Sequence, residues 1–358
     1  MKKWITVLIS MVLLMSCARK EELEVSQKDH SEKEQSIVKK EEPPLMATVP
    51  LLTINNQMYI SLEELSNFVK LDATYDATNQ TLSMLYTGHP YFFIFDVPVF
   101  QKGIDFFPME RSDFNVVDEK PYLSIQFIQS ELQLPITVHE NNVMIALNNN
   151  SNDIEAITLP KKPTTVEEVT TILSVLQNPI IGAQVSTKDS HLPGAPRSYR
   201  NGYHEGMDFY GYSSGVTINR ETPIYAMGEG TVIRADHDYE SYPSEEARNE
   251  DLSKSWNQPI TPEYILDKLR GRQVWIRYPG GILARFSHLD RIPEDIQVGD
   301  TVDSEKIVGY VGNSGTSGEV KKDDSELHLH LDILIYGELF WEGLNSSQVR
   351  EILTNVFE

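Results

Sequence analysis

The chain has 358 residues, 40% of them hydrophobic and 23% charged, and a formal net charge of −22. That length has room for two or three domains, and the composition lies in the globular range. The acidity excludes the basic footprint of a nucleic-acid binder, and it excludes docking on anionic lipid by charge alone.

A single cysteine, Cys17, rules out an intramolecular disulfide and any thiolate-rich zinc site. A metal must therefore be held by His, Asp or Glu. Residues 1–17 have the three parts of a secretion signal: Lys2 and Lys3, an apolar stretch from Trp4 to Leu14, and the closing Leu14-Met15-Ser16-Cys17. The apolar stretch is too short to span a bilayer as a helix. The closing tetrapeptide resembles the bacterial lipobox, whose cysteine is lipidated. That resemblance implies an extracytoplasmic protein held to the cell membrane by acyl chains on Cys17.

Residues 18–49 are mostly Lys, Glu, Ser and Gln and read as a disordered tether, since they offer too little to bury against their ordering entropy. Residues 50–147 carry an internal repeat. Tyr59-Ile60-Ser61-Leu62 returns as Tyr122-Leu123-Ser124-Ile125, and the same offset matches Leu65 with Ile128, Leu71 with Leu134 and Thr74 with Thr137. Each copy predicts a strand, a short amphipathic helix and two further strands. This small α+β unit resembles the copper-amine-oxidase N-terminal-like domain of secreted bacterial proteins. The resemblance implies a spacer or wall-binding module and no copper site, and His89 and His139 lack a companion at metal spacing.

Residues 148–179 read as a second linker, polar from Asn148 to Asp153 and marked by Pro160 and Pro163. A short helix follows, with Val166, Val169, Ile172, Leu173 and Leu176 on its apolar side, ending near Pro179. From 180 to 358 the pattern turns to short strands punctuated by Gly, at Val232, Val274-Trp275-Ile276, Ile282-Leu283, Ile307-Val308 and Leu329 to Ile335. A mainly antiparallel β domain is expected.

Two histidine clusters lie in that domain. One is His204-Glu205-Gly206-Met207-Asp208, the other His328-Leu329-His330 within a strand-like run. Residues i and i+2 of a strand face the same side, so the second cluster sets two imidazoles side by side. Two imidazoles and a carboxylate leave one tetrahedral position for water, the arrangement of a catalytic zinc. His288, closing Arg285-Phe286-Ser287-His288-Leu289, adds a group suited to proton handling near neutral pH.

The order of these motifs carries more than any one of them. Tyr203 to Phe209 is followed by Thr222-Pro223-Ile224-Tyr225-Ala226 and Gly228-Glu229-Gly230-Thr231-Val232, then Phe286 to Leu289, Val298 to Val302, Ile307 to Gly315 and His328 to Leu331. The succession, over roughly residues 185 to 340, resembles the lysostaphin/LytM-type zinc endopeptidases, which have the duplicated hybrid motif fold. The resemblance implies zinc held by His204, Asp208 and His330, with His288 and His328 as the catalytic pair. It implies peptidoglycan stem peptides or cross-bridges as substrate. Some relatives of the fold work as non-enzymatic scaffolds or amidase activators, a reading disfavoured here because all five positions are filled.

Two stretches depart from that family. Asp238 to Arg270 is a charged, proline-bearing insertion whose composition argues against a core role and whose place argues for a groove rim. Gly318 to Glu326 is a long acidic approach to the His-x-His pair and is expected at the same rim. Gly309, Gly312, Gly315 and Gly318 read as turn glycines, because no helix pattern follows to make a phosphate loop. Ser287 beside His288 lacks a nucleophile elbow. His191 and His237 read as solvated loop residues, and Leu192 to Arg197 as a turn-rich lead-in to the cleft.

Overall fold

The computed structural model describes residues 45–139, 142–147 and 157–358. Residues 1–17, most of the tether and the Asn148–Asp153 stretch lie outside the described residues. Among the described residues no helix is long and apolar enough to cross a membrane. The architecture is mainly antiparallel β in several sheets, with few helices.

The tether ends earlier than its composition suggests. Leu45–Pro50 is already a strand, paired antiparallel with Asn142–Leu147, and buries Ala47 and Val49. Alternation of small and β-branched residues there supplies one buried face despite the polar lead-in.

The internal repeat is visible as structure. Strand Gln57–Ser61 runs into helix Leu62–Phe68, and strand Lys120–Ser124 runs into helix Ile125–Ser130. The repeated serine is the N-cap in both: Ser61 Oγ accepts from the Glu64 N–H at 3.1 Å and Ser124 Oγ from the Phe127 N–H at 3.0 Å. The two repeat strands pair with each other, Ile60 opposite Leu123, and Ile60, Leu65, Leu123 and Ile128 fill a shared core. The first copy's two strands continue into a five-stranded meander from Leu71 to Pro108, and the second copy ends with Ile136–His139 and Asn142–Leu147.

The C-terminal half is built on a large antiparallel sheet. Its order is Met207–Phe209, Leu329–Ile335, Ile282–Ser287, Val274–Tyr278, Gly230–Ala235 and Thr301–Val302. A three-stranded sheet, Pro223–Tyr225, Ile307–Val311 and Leu289–Arg291, closes the far side of the core. Period-two alternation sends Leu329, Leu331, Ile333 and Ile335 into the main core and leaves His330, Asp332 and Leu334 on the other face.

That other face is covered as well, which is why Leu329–Ile335 reads as a continuous apolar run. Leu334, Leu283, Trp275 and Ile233 pack against Ile94, Val97, Val99 and Phe106 of the N-terminal meander. Burial of side chains of this size contributes about 1.5–3 kcal/mol each, so this seam fixes the repeat domain to one end of the large sheet.

The 238–270 insertion is only partly a rim. It folds into helices Glu245–Trp256 and Glu263–Leu269. Ile265, Leu266, Asp267 and Arg270 are buried, against the expectation from its composition. The charges are tolerated inside because they are paired: Arg234 holds Asp267 at 2.6 and 3.0 Å, and Arg270 Nε lies 2.8 Å from Asp332.

The glycine run serves close backbone approach more than turning. A Cβ on Gly312 would sit 2.3 Å from the Asp290 nitrogen, and Gly309 lies inside a strand. A short helix, Ser317–Lys321, takes in the last glycine of the run, Gly318, which the sequence pattern had hidden.

Candidate metal centre

His204 arrives at the site from a tight lead-in. Its N–H donates to the Ala195 carbonyl at 2.8 Å, and its Nδ1 lies 3.0 Å from the Leu192 carbonyl. The Leu192–Arg197 segment is therefore the support that aims this imidazole. A carbonyl can only accept, so Nδ1 carries the proton and Nε2 presents a lone pair. Asp208, on strand Met207–Phe209, stands directly opposite His330 in the sheet register.

Three atoms converge there. His204 Nε2 is 2.9 Å from Asp208 Oδ1 and 3.0 Å from His330 Nδ1, and His330 Nδ1 is 2.9 Å from the same Oδ1. The other nitrogen of His330, Nε2, donates to Asp332 Oδ1 at 2.6 Å. All of these residues are buried, and His204, Asp208 and His330 form the one candidate metal group among the described residues.

Three lone pairs facing one another at about 3 Å repel unless a proton or a cation sits among them. The chain's own solution is a proton on His330. Burial opposes that charge, but Asp332 and Asp208 outweigh it and raise the imidazole to about 9. Burial likewise disfavours ionised Asp208, yet His204 and His328 hold the carboxyl well below its ordinary range. The donor set, two imidazole nitrogens and one carboxylate oxygen with every outer nitrogen tied down, fits a zinc ion.

The two remaining histidines flank this triplet. His328 Nδ1 donates to the Glu326 carbonyl at 2.6 Å, and its Nε2 lies 3.5 Å from Asp208 Oδ1. His288 follows the end of strand Ile282–Ser287 in left-handed backbone, φ 61°, and its Nδ1 donates to the Ser314 carbonyl at 2.7 Å. The two rings are 4.6 Å apart, centroid to centroid. Burial lowers the pKa of His204, His328 and His288, so these rings are neutral near pH 7.

All five residues line one groove of about 570 Å³. Its other wall comes from the insertion, through Arg248, Leu252, Leu266 and Leu269, from Thr316 and Ser317, and from Glu326 at the end of the acidic approach. Ser287 does not line the groove, and its buried hydroxyl has no partner among the described residues.

Several residues of the site escaped the sequence reading. Tyr210 stacks on His328 at 4.3 Å between centroids. Burial first and Asp208 second push its phenol above the ordinary range. Arg197 Nη2 lies 3.2 Å from Asp208 Oδ2. His191 is no solvated loop histidine. It is buried, with Nδ1 2.8 Å from Ser186 Oγ and its ring against Tyr210. His237 is exposed and donates from Nε2 to the Ile296 carbonyl. Asp332 did have a signal, since His328, His330 and Asp332 alternate on one strand face.

No protein-family model matches the sequence, and no curated protein matches it. Solved structures do. LytU is 20% identical over 46% of this chain and 79% of its own, with a TM-score of 0.27. The catalytic domain of lysostaphin from Staphylococcus simulans is 19% identical over 44% of this chain and 82% of its own, at 0.26. A zinc-containing peptidase from Vibrio cholerae is 10% identical over 82% of this chain and 68% of its own, at 0.29.

Proposed function

We propose that the chain is a zinc-dependent endopeptidase that hydrolyses peptide cross-links of bacterial peptidoglycan, held outside the cell membrane by a lipid on Cys17. His204, Asp208 and His330 hold the metal, and His288 and His328 are the catalytic pair. The observation that carries the chemistry is the convergence of His204 Nε2, Asp208 Oδ1 and His330 Nδ1 within about 3 Å, beside two further imidazoles in one groove. The substrate class and the address rest on the motif succession and the N-terminal signal.

Bound zinc supplies a polarised carbonyl and a water with a pKa near 7. The protein's own groups do the rest. With Nδ1 committed to a backbone carbonyl, His328 and His288 each carry their lone pair on Nε2, and burial keeps both rings neutral. Such a nitrogen accepts a proton from the attacking water, and in its protonated form steadies the tetrahedral oxyanion or returns the proton to the leaving amine. Tyr210 fixes the plane of His328 by stacking.

Digestion of purified sacculi tests the proposal. New amino termini inside the cross-links, seen by mass spectrometry and abolished by chelator, are the expected result. Sacculi left intact by zinc-loaded protein would refute it.

A further inference from the structure

A second cavity, of about 360 Å³, lies behind the metal groove, where the N-terminal meander meets the large sheet. Phe92, Ile94, Phe106, Trp275 and Leu334 give it an apolar wall, and the exposed Tyr203 and Ile260 stand at its rim. Two charged groups in that wall make no hydrogen bond among the described residues.

The first is Arg285, only 7% exposed. Its Nε has no hydrogen-bond partner among the described residues, and its ion pair with Asp332 is long, 4.0 Å from Nη1. Asp332 is already engaged by Arg270 at 2.8 Å and His330 at 2.6 Å. The Arg285 guanidinium carbon lies over Trp275, 4.2 Å from the ring centroid. Burial first, and Arg270 second, lower its pKa to about 10.

The second is Glu263, at the start of helix Glu263–Leu269. Its carboxylate makes no hydrogen bond or ion pair among the described residues, and burial raises its pKa against the pull of Arg270 and Arg285. A charged group that is buried or partly buried and makes no hydrogen bond is costly, and two of opposite sign lining one largely apolar cavity complement a ligand that carries both charges.

We infer that this cavity binds a zwitterionic ligand, an amino acid or short peptide with an apolar side chain, whose carboxylate pairs with Arg285 and whose ammonium pairs with Glu263. The apolar side chain lies against Phe106, Trp275 and Leu334. The volume suits a ligand of one or two residues. The inference is independent of the peptidase reading, because neither charged group touches the proposed metal.

The test uses the full chain in the presence of chelator, so hydrolysis plays no part. The probes are phenylalanine and the dipeptide alanyl-phenylalanine, and the readout is tryptophan fluorescence. Trp275 and Trp341 line this cavity, and no tryptophan lines the metal groove. Saturable binding of at least one probe is expected, weakened at least roughly tenfold by acetylating its amine, by amidating its carboxylate or by Glu263→Gln. Glu263 is only partly buried, and a melting curve confirms that the variant is folded. No saturable change with either probe, or equal binding of the blocked forms, would overturn the inference. A free amino acid that binds as well as the dipeptide identifies a single-residue ligand. Dipeptide binding alone identifies a peptide.

Discussion

Asp332 Oδ1 accepts from His330 Nε2 at 2.6 Å, and the same carboxylate is gripped on its other side by Arg270. The pair sets the tautomer and the plane of His330, so Nδ1 is the atom turned toward His204 and Asp208. Replacement of Asp332 by Asn keeps the shape and removes the charge. Zinc affinity should then fall about 10- to 100-fold, as is typical when the partner of a ligating histidine is lost. Competition against a chromophoric chelator reads this directly, and an unchanged affinity would sever Asp332 from the metal.

Proton release follows from the same pair. His330 is raised to about 9 and is therefore protonated at pH 7 in the metal-free chain. Zinc must displace that proton. Affinity should rise about tenfold per pH unit from 7 to 9 on this account and level off above. Calorimetry at pH 7 in buffers of different ionisation enthalpy should show about one proton released from this group, vanishing near pH 10.

The proposed function divides the histidines into two kinds, and substitution should separate them. His330→Ala should lose both metal and turnover. His288→Ala should keep its zinc and lose about 10²–10⁴ in rate, the usual worth of a general base or an oxyanion contact. Metal content by mass spectrometry, set beside sacculus digestion, distinguishes the outcomes. A fully active His288→Ala protein would remove that residue from the chemistry.

What the sequence shows and what it hides have physical reasons. The strands around Val232, Val274, Ile282, Ile307 and Leu329 were legible because short β-branched runs between glycines admit little else. The five histidine and aspartate positions were legible because strand alternation and motif order constrain them together. Arg197, His191 and Tyr210 were not, because their contacts depend on where loops fold back. The inward turn of the insertion was hidden too. A charged segment reads as solvated unless its partners, here Arg234 and Asp332, are known to be buried beneath it.

That buried pairing makes the insertion's second helix part of the fold. Asp267 is bound through both oxygens by Arg234, which Asp236 also holds at 2.9 and 3.0 Å. Asp267→Ala should cost about 3 kcal/mol, the low end for breaking a buried pair, since Asp236 still faces the guanidinium. Burial raises the Asp267 carboxyl, but Arg234 outweighs it and the net shift is downward. A carboxyl lowered on folding contributes stability above its unfolded pKa of about 3.9 and loses it as pH falls toward the folded value. The deficit of Asp267→Asn against wild type should therefore be full at pH 7 and shrink below about pH 4. Chemical denaturation across that range measures it. A deficit that stays constant to pH 2 would mean that Asp267 acts through packing and not through its charge.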